Sequence, residues 1–149
     1  MSVVASISTV LHQKGSNAWS VSPDALVFDA IQLMADKNVG ALLVIAGGNL
    51  VGMISERDYT RKVVLKGKTS KQVHVGEIMV SPVISVTPAH TVDDCMRLMT
   101  EHRVRHLPVL DGSQIAGVIS IGDLVNWIIS VQRETISHLQ NYISGQYPG

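Results

Sequence analysis

A chain of 149 residues with 46% apolar and 16% charged side chains can fold around a core of its own, which excludes a disordered tail. Its 12 basic and 12 acidic residues cancel, which argues against binding nucleic acid or anionic membrane through overall charge. The single cysteine, Cys95, excludes an internal disulfide, and with no secretory leader at Met1 to Val10 and no apolar run of about 18 residues we expect no membrane span and a cytoplasmic location.

Val3 to Gln13 reads as a short helix with Val3, Ile7, Val10 and Leu11 on one face, ended by Gly15 with Lys14 in its last turn. Trp19 to Ser22 reads as a short extended piece stopped by Pro23. Leu26 to Lys37 follows as a helix burying Val27, Ala30, Ile31 and Met34. Ala41 to Ile45 is an apolar run expected to be a strand covered on both faces, and Gly47-Gly48-Asn49 turns it back into Leu50 to Ser55. A helix starts near Arg57 or Asp58. Lys66 to Lys71 is a polar linker, and Val75 to Met79 is one helical turn.

Then the pattern restarts. Shifted by 65, residues 21–59 align with 86–124 without a gap, with fourteen identities in 39 positions. They fall on apolar periodic sites such as Val27/Val92 and Leu42/Leu107, on turn glycines, and on Ser55/Ser120 and Asp58/Asp123. This is an internal repeat, each copy strand–helix–strand–strand–helix. Thr91 is a plausible N-cap, and Cys95 takes the place of Ala30 as a small core residue. The last helix runs to about Ile143, with Trp127, Ile128, Val131, Leu139 and Tyr142 forming an apolar side that predicts a homodimer. The fold class is α/β (α+β): two repeats about a pseudo-two-fold axis, with a short N-terminal and a long C-terminal helix. The divisions are 1–20 (helix and lead-in), 21–65 (first repeat), 66–80 (linker and lead-in), 81–130 (second repeat) and 131–149 (helical extension and tail).

Two such units, each closing on Gly-x-Ile-Ser-x-x-Asp and each holding an Ala-Leu-Leu-Val or His-Leu-Pro-Val strand, resemble the CBS-domain pair, or Bateman module. Gly76-Glu77-Ile78-Met79 and Ser81 to Pro88 match the lead-in of its second unit. The resemblance covers about residues 8–130 and is to the stand-alone members of the family. It implies a regulatory signal-transduction module that binds an adenine nucleotide (AMP, ADP, ATP or NAD) between the units and changes the activity of a partner. It implies no enzyme activity and no required metal.

The resemblance also implies two composite sites. One would take Ser22, Val27, Gly40 and Ala41 with Val118, Ser120, Gly122 and Asp123; the other, Thr87, Val92, Arg105 and His106 with Met53, Ser55, Arg57 and Asp58. A carboxylate only accepts hydrogen bonds, so one aspartate can take both vicinal hydroxyls of a ribose. The cations favour phosphate at the second site, with Lys14 a helper at the first and Trp19 a candidate to stack on a base or simply to pack.

Other readings stand beside this one. Ser and Asp are also preferred helix-capping residues. Ser120 or Ser55 with His106 and Asp123 has the residue types of a hydrolase triad but no Gly-x-Ser-x-Gly elbow. His102 and His106 are four apart but straddle a helix end, which argues against a metal pair. The run Arg61, Lys62, Lys66, Lys68, Lys71 lacks the aromatics of a nucleic-acid site. The alternative function is a dimerising scaffold with vestigial nucleotide sites.

Overall fold

The computed structural model describes residues 5–143. Val3 of the first helical face lies outside the described residues, as does the side chain of Tyr142.

Helix α1 spans Ile7–Lys14, later than expected, because Ser6 caps it by accepting the Thr9 N–H. The first repeat runs β1 (Ser20–Val21), α2 (Val27–Lys37), β2 (Ala41–Ala46), β3 (Asn49–Ser55) and α3 (Glu56–Tyr59), which continues as a π turn over Thr60–Val64. The one-turn helix α4 (Val75–Ile78) leads into the second repeat: α5 (Val92–His102), β4 (His106–Asp111), β5 (Gln114–Ser120) and α6 (Ile121–Ile143). The last helix thus begins two residues before Asp123 and holds it in its first turn.

The copies repeat down to their irregularities. β2 and β4 each pair antiparallel with the next strand, and each register shifts at the same place, Val44/Ile45 and Val109/Leu110. They differ at the opening strand. In the first repeat β1 pairs in parallel with β2, and the Leu43 N–H donates to the Trp19 carbonyl. In the second, the position of Leu43 is held by Pro108, which has no N–H to give, and the ladder shrinks to a single bridge, Val86 to Val109.

Each repeat has its own core. Val27, Ala30, Met34, Leu42, Val44 and Ile54 fill the first, and Val92, Cys95, Met99, Leu107, Val109 and Ile119 fill the equivalent places of the second. Leu43 and Met53, which face the other side of the first sheet, are buried too, so the apolar run does have cover on both faces.

The lead-in helices cross over. α4 packs Val75 and Ile78 into the first core, whereas α1 packs Ile7, Val10 and Leu11 into the second. Both dock through one backbone pattern. Val75 N–H donates to the Ala25 carbonyl and Gly76 N–H to that of Pro23; Ile7 N–H donates to His90 and Ser8 N–H to Pro88. The N-terminal helix therefore belongs, in space, to the second repeat.

Candidate functional site

Each Gly-x-Ile-Ser-x-x-Asp stretch ends a strand and starts a helix. Ser55 and Asp58 form a reciprocal cap: the Asp58 N–H donates to Ser55 Oγ at 3.2 Å, and Asp58 Oδ2 accepts the Ser55 N–H at 2.9 Å and its hydroxyl at 3.0 Å. Ser120 and Asp123 repeat it, at 3.1 Å for the Asp123 N–H and 2.8 Å for the Ser120 N–H. The capping role is thus real in both copies. It does not use up the carboxylates, for each also holds a lysine. Lys62 Nζ lies 3.1 Å from Asp58 Oδ1, and Lys14 Nζ lies 2.8 Å from Asp123 Oδ2. Burial pushes the Asp123 carboxyl up, but Lys14 and the Ser120 hydrogen bonds outweigh it and hold the group below its usual value.

A cleft of about 690 Å³ opens between the repeats on the Asp58 side. It gathers Met53, Ser55, Arg57 and Asp58 from the first repeat with Arg105 and His106 from the second, as the resemblance implies. Gly40 and Ala41, expected in the other site, line it as well. Ala41 pairs with Ser55 across its own hairpin, so the start of β2 must lie beside the end of β3. By the same rule His106 pairs with Ser120. A Cβ at Gly40 would stand 3.5 Å from both Cε1 and Nε2 of His106. His106 is therefore a wall of this cleft while also sensing Asp123. Burial lowers the imidazole's affinity for a proton, Asp123 pulls it back up, and Lys14 and Arg105 push it down; the outcome is below the usual 6.5.

Other expected site residues stand elsewhere. Val27 and Val92 are wholly buried in the two cores, because they face inward from the first turns of α2 and α5. Ser22 is exposed and accepts the Asp24 N–H, and Thr87 is exposed with its N–H given to His90 Nδ1. Neither lines the cleft. Val118, Ser120, Gly122 and Asp123 sit at the pseudo-equivalent end of the second repeat, where Lys14 also donates to the Val118 carbonyl at 2.6 Å. Trp19 does not line the cleft, and Lys37 Nζ lies 4.3 Å from its ring centroid.

The cleft also holds residues not assigned to a site from the sequence. Arg61 and Lys62, which the sequence offered only as part of a basic run, line it because they follow Arg57 and Asp58 by one turn. The i, i+4 spacing was the signal. Arg103, in left-handed conformation at φ 54° as the C-cap of α5, accepts a hydrogen bond from Arg57 on its carbonyl at 3.3 Å. The lining counts five permanent cations (Arg57, Arg61, Lys62, Arg103, Arg105) against two carboxylates (Glu56, Asp58), within a chain of zero net charge. Val80, Val83, Ile84 and Val104 supply an apolar wall.

Among the described residues no group of three or more His, Cys, Asp or Glu is placed to hold a metal ion, and no helix is long and apolar enough to cross a membrane.

The family model of the CBS domain matches residues 15–65 and 75–130. The chain is 41% identical to the CBS domain-containing protein CBSX3, mitochondrial, of Arabidopsis thaliana, over 95% of this chain and 73% of that one. Among solved structures, a CBS-domain protein of Burkholderia ambifaria is 49% identical, with a TM-score of 0.82 over 85% of this chain and 95% of that one. A hexameric CBS-CP12 protein from bloom-forming cyanobacteria is 30% identical, with a TM-score of 0.75 over 82% and 70% of the two chains. The CBS domain pair of protein MJ0100, solved in complex with 5'-methylthioadenosine and S-adenosyl-L-methionine, shares the fold at 19% identity, with a TM-score of 0.75 over 85% and 98%.

Proposed function

The chain belongs to the CBS-domain family as a tandem pair, a regulatory module, and from that premise we propose that it binds an adenine nucleotide in the cleft beside Asp58 and relays the result to a partner protein. The observation that carries this is the composition of one cavity. A carboxylate suited to vicinal hydroxyls stands among guanidinium and ammonium groups suited to phosphate, against an apolar wall suited to a base. In this reading Asp58 takes the ribose, with Ser55 at its side. Arg57, Arg61 and Arg105 take phosphate, His106 and the bare backbone of Gly40 and Ala41 bound the pocket, and Met53 with the apolar wall faces the base.

AMP, ADP, ATP and NAD all fit this chemistry. The MJ0100 pair, with its two adenosine-derived ligands, supports the fold as a holder of such groups. We assign the chain no catalysis, a cytoplasmic location, and the division into repeats 21–65 and 81–130. The pseudo-equivalent position at Ser120, Gly122 and Asp123, with Lys14, is the candidate second site.

The test is calorimetric titration with AMP, ATP and NAD. We expect binding to at least one of them, and Asp58→Ala to weaken it about tenfold or more, the loss of a charge-assisted contact. Absence of binding to all three would leave the second reading, a dimerising scaffold with vestigial sites. That reading draws on α6, where Val125, Ile129, Ile136 and Leu139 are exposed, and on the hexameric relative. Self-association is part of the first reading as well.

A further inference from the structure

Both site aspartates are wired by a lysine to a lead-in segment, and the two wires are built in opposite directions. Lys62 sits on the repeat's own helix, four residues after Asp58. It bonds Asp58 Oδ1 at 3.1 Å and reaches across to donate to the Ile78 carbonyl at the end of α4, at 2.9 Å. In the second repeat the position four after Asp123 is Trp127, which cannot do this. There the lysine comes from the other partner. Lys14 closes α1 and reaches back to Asp123 Oδ2 and the Val118 carbonyl. One link between aspartate and lead-in is thus made in both copies from lysines at different positions.

We propose that Lys62 couples occupancy of the cleft to the segment that joins the two repeats. The inference rests on the nucleotide reading of that cleft. Lys62 lines the cavity and its side chain is 42% exposed, which leaves it room to swing once a contact is given up. Of its two partners one is a carboxylate and the other a neutral carbonyl, and the neutral contact is the weaker. A phosphate entering beside Arg57 and Arg61 outbids the Ile78 carbonyl and draws the ammonium into the cleft. α4 then loses a tie. It is the joint of the molecule: its Val75 and Gly76 amides hold the Ala25 and Pro23 carbonyls of the first repeat, and Val80 exchanges both backbone bonds with Met53 on the cleft wall. Loosening residues 75–80 therefore changes how the second repeat is held against the first.

The measurement is hydrogen–deuterium exchange of the full chain with and without saturating AMP, with binding followed by calorimetry. In the wild type, AMP should speed exchange of the 79–80 amides about fivefold, one lost hydrogen bond's worth, while amides lining the cleft slow. Lys62→Met should bind AMP more weakly, for want of the ammonium, and should show the faster exchange without ligand and no further response at AMP concentrations that calorimetry shows to be saturating for it. Lys62→Arg should restore the response. AMP bound with unchanged or slower exchange at 79–80 overturns the coupling and leaves the nucleotide reading standing. So does a Lys62→Met protein that responds like the wild type. A wild type that binds no AMP overturns the nucleotide reading and the coupling with it.

Discussion

The charge on His106 is set by where its ring is put. Burial keeps it below its usual 6.5, so the folded chain takes up this proton later than the unfolded chain does. The stability owed to the neutral ring is complete above about pH 6.5 and is lost as pH falls from there toward the folded value. Urea denaturation at about pH 7.5 and about pH 5.5 should show a loss of stability on acidification that is smaller in His106→Gln than in the wild type. Gly52 is a second constrained residue. A Cβ there would lie 2.7 Å from Met79 Sδ and 2.9 Å from the Val80 carbonyl oxygen, and backbone does not yield as a side-chain end does. Gly52→Ala should cost roughly 1–3 kcal/mol, read as a lower urea midpoint at unchanged slope. Cys95 was readable from sequence alone, as a small residue in a helix's apolar stripe; burial pushes its thiol up to about 11, with Asp94 adding to the shift, and it is wholly enclosed. Val27 and Val92, expected at the sites from the resemblance, have their side chains enclosed in the two cores, where the apolar periodicity alone would put them.

At the scale of the element, local sequence decided most boundaries. Thr91 is the N-cap expected of it, and Asp94 makes the cap reciprocal, the Thr91 N–H donating to Asp94 Oδ2 at 3.0 Å and the Asp94 N–H to Thr91 Oγ1 at 3.1 Å. The equivalent helix of the first repeat starts from Leu26 with no side-chain cap. Thr91→Ala should therefore cost about 1 kcal/mol, measured by chemical denaturation. What local sequence did not show was the π turn at Thr60–Val64, since the i to i+5 bond of Leu65 to Thr60 leaves no distinct residue pattern. The missing second-repeat strand was written in the chain, as a proline in the place of Leu43. The place of Gly40 and Ala41 beside Ser55 was legible only in part. Counting back from the two-glycine turn sets Ala41 at the end of β3 opposite Ile54, and the register shift at Val44/Ile45, which has no sequence signal, moves it onto Ser55.

At the scale of the molecule, the duplication made the architecture legible, because fourteen matches in one frame are hard to reconcile with anything but two copies of a unit. The crossed docking of α1 and α4 was not legible: a short amphipathic helix declares that it has an apolar face but not which core will take it. α6 poses the same question toward the outside. Ile136 and Leu139 are 54% and 57% exposed, beyond the reach of the second core. If this stripe joins two copies of the chain, Ile136→Glu with Leu139→Glu should halve the mass seen by light scattering and leave nucleotide affinity unchanged. An unaltered mass would place the contact elsewhere.

The crossing of the lead-ins has a consequence for biosynthesis. A chain emerging from the ribosome folds from its leading end, at about 5–20 residues per second. The first repeat finds its covering helix immediately, since α4 follows it. α1 is made before everything it packs on: its partners Ile119 and Leu124 come more than a hundred residues later. Until the second repeat is made, Ile7, Val10 and Leu11 lack the core they pack into, and that repeat is completed by a helix translated before the first. α1 is translated before the repeat whose core it fills and can dock only once that repeat is made, so the chain closes back on itself as a ring and not as a row.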